Sequence, residues 1–132
     1  MAKEALRYAL HEASIRGTRV RAVHAWSPTV ALPASGVGLV APIDIGSMQT
    51  AAEILLRDTV EAVAGEKASG IERVLVEGPA GDAIVGNSRD AEMIVVGRRG
   101  LGTVRSIVLG SVSTHVIQHV RCPVLVIPTP HD

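Results

Sequence analysis

Met93-Ile94-Val95-Val96-Gly97 opens, and Cys122-Pro123-Val124-Leu125-Val126-Ile127-Pro128 closes, the stretch of this sequence that decides its fold. Met93-Ile94-Val95-Val96 is a continuous apolar run, the mark of a strand buried on both faces. A Gly-rich loop follows from Gly97 to Gly110. Residues 111–120 then form a helix with Val112, Val116, Ile117 and Val120 inward, and Pro123 to Ile127 reads as a second strand closed by Pro128.

Working outward, the same alternation covers the chain. Leu6, Ala9, Leu10 and Ala13 line one face of a helix over 2–16, and Gly17 stops it. Val20 to Trp26 is a strand. Ser47 is the expected N-cap of a helix reaching Ser69, with Ala52, Leu55, Leu56, Thr59 and Val63 on one face. Ile71 to Glu77 is a strand, and residues 80–89 form a short helix with Ile84 and Val85 inward. Helix-strand order repeated four times predicts an α/β fold, an open parallel sheet with helices on both faces and right-handed crossovers. No internal repeat is evident. The stretch 27–46 carries three prolines, three glycines and no charge before Asp44, which suits either a lid or a plain surface excursion.

The chain of 132 residues has room for one domain, 1–132. Its hydrophobic share of 47% can build a core, but with no Phe, one Trp and one Tyr that core must rest on Val, Ile, Leu and Ala. Lys and Arg balance Asp and Glu at thirteen each, so the charge surplus of a general nucleic-acid binder is missing, as are stacking aromatics. The single cysteine allows no internal disulfide, and no apolar run is long enough to cross a bilayer. A cytoplasmic protein with neither nucleic acid nor membrane as partner is the expectation.

Chemistry concentrates in the loop. In an open α/β sheet, ligands bind beyond the carboxyl ends of the strands. Gly97 and Gly100 stand where the chain leaves such a strand, and Gly110-Ser111 opens the last helix. That helix start offers unpaired N–H groups and the positive end of its dipole, and Ser111 and Ser113 add hydroxyls. Together they suit a di- or triphosphate, with Arg98 or Arg99 adding charge. The spacing is neither a Walker A loop nor a GxGxxG fingerprint. On these residues alone, a tight strand exit and a capped helix start explain the pattern equally well.

Gly97-x2-Gly100-x9-Gly110-Ser111 resembles the G-x2-G-x9-G-[S/T] nucleotide motif of the ATP-binding branch of the universal stress protein family. Its flanks, Ile94-Val95-Val96-Gly97 and Cys122 to Pro128, are similar to the family too, as is Arg19-Val20-Arg21-Ala22-Val23-His24-Ala25-Trp26 to its second strand. The resemblance implies a Rossmann-like fold of the adenine nucleotide alpha hydrolase type. It implies that Val96, Gly97, Arg99, Gly100, Gly110, Ser111, Val112 and Ser113 lie at ribose and phosphates, and Ala25 at the adenine. The implied ligand is ATP or a related adenine nucleotide, with any Mg²⁺ arriving on the phosphates. The implied partner is a second copy, paired through the last strand from Val124 to Ile127.

The chain departs from the family at its start. Family members open with a central strand carrying an aspartate for the adenosine end, whereas here Met1 leads directly into a helix, leaving four strands instead of five. Three resolutions are open: a start lying further upstream, direct pairing of the two strands that flank the gap, or another chain in the gap. A truncated or misassigned start is the expectation.

His115 and His119 share a helix face at a zinc-compatible spacing, but with no acidic or cysteine partner nearby in sequence they read as a solvated surface, and no metal site is expected. His24 reads as a half-buried packing residue with a hydrogen bond, and Cys122 as a small buried hydrophobe. No nucleophilic triad or carboxylate pair is recognisable. The expected function is a dimeric stress-response switch that binds adenine nucleotide, with at most weak ATPase activity. The alternative is a dimeric scaffold of the same fold that holds no nucleotide. A small enzyme of the wider doubly wound class would need a catalytic constellation that is missing from the sequence.

Overall fold

The computed structural model describes residues 2–28, 44–98 and 109–128. Their order is α1 (Ala2–Arg16), β1 (Arg21–Trp26), α2 (Ile45–Ala64), a 3₁₀ turn (Gly65–Gly70), β2 (Glu72–Glu77), α3 (Ala80–Gly86), β3 (Ile94–Gly97), α4 (Ser111–His119) and β4 (Val124–Ile127).

Local chemistry sets the boundaries. Glu4 in the first turn and Arg16 in the last complement the dipole of α1. Gly17, at φ 67°, turns the chain out of the helix, a conformation that suits a residue without Cβ. The N-cap of α2 is Asp44, not Ser47: Asp44 Oδ1 accepts the Ser47 N–H at 3.1 Å and Oδ2 accepts its hydroxyl at 2.6 Å. A carboxylate three residues upstream takes the capping role and leaves Ser47 inside the first turn. The α-helix ends at Ala64, and the remaining stretch to Gly70 tightens into 3₁₀. Helix α3 stops at Gly86 because Asn87 Nδ2 and Ser88 Oγ donate to the carbonyls of Ala83 and Val85, at 2.8 and 2.7 Å.

The helices cover both faces. On one, Leu6 of α1 and Val60 of α2 join Ile71, with Val20 and Ala22 of the β1 segment packed against them. On the other, Val116 of α4 meets Ile94 and Val96, with Ile84 and Val85 of α3 and Val124 and Val126 of β4 around them. Val60 and Val116 are fully buried, each worth about 2 kcal/mol of apolar transfer. The α/β class and the parallel strands are as the sequence predicts.

The sheet, however, is split. β1 pairs parallel with β2, from Arg21 opposite Glu72 to Trp26 opposite Glu77. β3 pairs parallel with β4, from Ile94 opposite Val124 to Gly97 opposite Ile127. Among the described residues there is no ladder between β1 and β3. Of the three resolutions for the missing strand, direct closure of its neighbours is not the one adopted. The two pairs are instead linked at their amino ends by Arg21, whose guanidinium reaches Glu72 beside it and Asp90 before β3.

Candidate functional site

The beginning of β1 and the segment before β3 lie at one edge of the molecule, joined by Arg21 and Asp90, so the carboxyl ends of both strands share the opposite edge. Ala25 lies near that end of β1, and Gly97 is the last residue of β3. Gly110 then caps α4 in extended conformation, with φ −74° and ψ 169°.

Two backbone bonds and one side chain hold this corner. The Gly110 N–H donates to the Arg98 carbonyl at 2.7 Å, tying the helix start to the strand exit, while the Arg98 N–H donates to Ile127 at 2.8 Å. The Ser113 hydroxyl lies 3.0 Å from the Arg98 carbonyl and 3.1 Å from the Gly110 carbonyl, and its residue is only 1% exposed. A buried hydroxyl must find an acceptor, and these two carbonyls are within reach. Ser113 therefore donates to backbone, where the sequence pointed to a donor for a ligand.

The helix start itself keeps its donors. The first bond of the helical ladder runs from the Thr114 N–H to the Gly110 carbonyl at 3.0 Å. The N–H groups of Ser111, Val112 and Ser113 thus have no acceptor inside the helix, and the helix dipole adds roughly half a positive charge there. Ser111 is exposed. Val112 and Val96 turn their side chains into the core with Ile94 and Val116, leaving only backbone for any ligand. The corner fits anionic oxygens through amides and the Ser111 hydroxyl. Arg99 and Gly100 lie outside the described residues.

One constellation escaped the sequence. His115 Nε2 lies 3.0 Å from Asp82 Oδ1 on α3, and the His115 and His119 rings stack with centroids 4.2 Å apart. Gly81 beneath makes the close approach possible, since a Cβ there would stand 2.7 Å from His115 Cδ2. Asp82 precedes His115 by more than thirty residues, too far for a local motif to reveal. Among the described residues no three His, Cys, Asp or Glu side chains are grouped to hold a metal. His24 is half-buried, its basicity lowered by burial, and its ring makes no hydrogen bond among the described residues. Cys122 packs half-buried against the β3–α4 core, the role expected of it.

No helix among the described residues is long and apolar enough to cross a membrane. Universal stress protein Rv2005c of Mycobacterium tuberculosis is 34% identical over 122 residues, covering 89% of this chain and 38% of its own length. Rv2624c of the same organism is 44% identical over 82 residues, 61% of this chain and 30% of its own length. The chain thus spans less than half the length of these relatives. Among solved structures, a universal stress protein from Archaeoglobus fulgidus in complex with dAMP matches with a TM-score of 0.60 and 27% identity, over 96% of this chain and 86% of that one. A universal stress protein in complex with cAMP matches with a TM-score of 0.66 and 21% identity, over 95% and 87%. The model of the universal stress protein family matches residues 1–128, and the chain belongs to that family.

Proposed function

We propose that this chain binds ATP or a related adenine nucleotide at the corner formed by the end of β3 and the start of α4. The observation that carries this reading is the free first turn of α4, held against the strand exit by the Gly110 to Arg98 hydrogen bond. The phosphates would lie on the amides of Ser111, Val112 and Ser113 and on the Ser111 hydroxyl. Gly97, Arg99 and Gly100 would complete the loop, and the backbone at Ala25 would meet the base. Family relatives solved with dAMP and cAMP support adenine as that base. Occupancy would act as a stress-response signal in the cytoplasm, read through a dimer formed along β4, whose apolar outer edge suits strand pairing. Any hydrolysis would be slow, since no described residue is placed as a base for water.

A second reading, a dimeric scaffold of the same fold without nucleotide, is favoured by the engagement of the Ser113 hydroxyl with the Arg98 and Gly110 carbonyls, which takes one donor away from the corner. Calorimetric titration with ATP and Mg²⁺ decides between them. Saturable binding that Gly110→Val abolishes supports the nucleotide reading. Absence of heat at millimolar ATP, or binding indifferent to Gly110→Val, leaves the scaffold.

A further inference from the structure

Helix α4 carries His115 and His119 one turn apart on one face, their rings stacked with 4.2 Å between centroids and 28° between planes. The contacts of these rings fix where their protons sit. His119 Nδ1 lies 2.8 Å from the His115 carbonyl oxygen, which can only accept. Nδ1 therefore carries the proton, and the lone pair of the neutral ring is on Nε2. His115 Nε2 stands 3.0 Å from Asp82 Oδ1, and an ionised carboxylate likewise only accepts. The His115 proton is thus on Nε2 and its lone pair on Nδ1. Gly81 makes this seat, because a Cβ there would stand 2.7 Å from the His115 ring. Only a bare backbone lets the ring lie against α3 beside Asp82. Among the described residues, no hydrogen bond uses either remaining lone pair.

We infer that this pair is a binding site for one divalent transition-metal ion of the zinc and copper class, held by His115 Nδ1 and His119 Nε2 with water in its other positions. Neutral imidazole is a donor that these ions favour, and two rings at i, i+4 reach one ion from a single helix face. A ligating ring commonly donates its other N–H to a carboxylate or a backbone carbonyl, which fixes its tautomer and raises its basicity. His115 and His119 have one such partner each, already in place. The acidic partner missing from the local sequence is Asp82, contributed by α3. His119 stands in the last turn of α4, where the negative end of the helix dipole favours a cation. His119 is exposed and His115 half-buried, so water reaches the ion and the rings can tilt until both lone pairs meet it at roughly 2.0–2.1 Å. Mg²⁺ is a poor guest, since it takes oxygen ligands. The pair lies toward the carboxyl end of α4, clear of the first-turn amides, and owes nothing to a bound nucleotide.

The test titrates the isotope-labelled full chain with Zn²⁺ alone and with Mg²⁺ alone, and follows the imidazole nitrogens by NMR. The expected result is saturable equimolar binding of Zn²⁺ that moves the signals of His115 Nδ1 and His119 Nε2, with no response to Mg²⁺. His119→Ala, at an exposed position, should abolish the binding and leave the circular dichroism of the fold unchanged. Asp82→Ala should weaken it on the order of tenfold, the usual effect of removing a partner that orients a ligating ring. His11→Ala should leave it unaltered. Three outcomes overturn the proposal. No ring nitrogen responds to Zn²⁺; binding survives His119→Ala, which places the ion elsewhere; or Zn²⁺ moves His115 Nε2 instead of Nδ1, which puts the ion where the Asp82 contact now stands.

Discussion

The guanidinium of Arg21 grips the carboxylate of Asp90 by two hydrogen bonds, Nη1 to Oδ1 at 2.7 Å and Nη2 to Oδ2 at 3.0 Å. The same side chain donates through Nε to Glu72 at 2.8 Å and through Nη1 to the Asn87 carbonyl at 3.0 Å. One arginine thus ties β1 to its own sheet and to the turn that enters β3. Hydrogen bonding to Arg21 holds the Asp90 carboxyl below its ordinary value. The unfolded chain then takes up the proton first, so the pair's contribution is present above the ordinary carboxylate pKa and lost as pH falls through the lowered one. Asp90→Asn is expected to flatten the acid limb of stability between about pH 5 and pH 2. Urea midpoints measured across that range check it. An unchanged slope would mean the pair does not hold in solution.

His24 titrates on the acid side too, but nearer neutrality than Asp90. Burial disfavours its charged form and lowers its pKa. Stability is therefore complete above the ordinary histidine value and declines as pH falls through the lowered folded value. His24→Leu should remove that decline between about pH 7 and pH 5. Urea midpoints at successive pH values show it as a loss of slope.

Gly81 is where α3 and α4 meet. A Cβ there would come within 2.7 Å of His115 Cδ2, 3.0 Å of Cγ and 3.2 Å of Cβ. Alanine normally gains about 0.5–1 kcal/mol over glycine in a helix interior. At this contact the His115 ring must move and give up Asp82, so Gly81→Ala should instead destabilise by about 1–3 kcal/mol. Adding His115→Ala should restore most of the loss, a coupling that chemical denaturation of the double-mutant cycle measures directly.

How far the sequence carried these conclusions depended on the range of the interaction. Met93 to Val96 and Val124 to Ile127 were legible as strands because local hydrophobic runs produce them, and Val112, Val116 and Val120 as a helix because their spacing does. Ser47 was mistaken for a cap because Asp44 competes from three residues away, and a carboxylate wins that contest. The Arg21–Asp90 and Asp82–His115 pairs join residues 69 and 33 positions apart, which no periodicity reports. The gap between β1 and β3 followed from the family resemblance, whereas the failure of its two flanking strands to pair with each other needed coordinates. In the nucleotide corner the glycine spacing located the helix start, but the engagement of Ser113 with backbone needed coordinates.

Val116 is fully buried where α4 meets β3, among Ile94 and Val96. Val116→Ala removes two methylene equivalents from a closed site and should cost about 2–3 kcal/mol, transfer and cavity together. Denaturation monitored by far-ultraviolet circular dichroism tests this. Ile117, which the helical spacing places inward, is instead exposed on the outer side of α4, so Ile117→Ala should cost less than about 0.5 kcal/mol.

Ser113 separates a positioning role from a ligand contact. Its hydroxyl serves the carbonyls of Arg98 and Gly110, and Arg98 keeps a second donor in the Gly110 N–H. Removing the hydroxyl deletes its hydrogen bond while both carbonyls keep a backbone donor, Arg98 from Gly110 and Gly110 from Thr114, a penalty of about 1 kcal/mol. Ser113→Ala should therefore lower stability by that amount and speed amide exchange at Gly110. If the hydroxyl only positions the corner, nucleotide affinity should fall by no more than the loosening of the loop, and saturating ATP should restore the Gly110 protection. Ser111→Ala gives the opposite signature, unchanged stability with weaker phosphate binding, because Ser111 is exposed at the helix start. Should Ser113→Ala abolish ATP binding while exchange at Gly110 is unaffected, the hydroxyl must turn away from the backbone to meet the nucleotide.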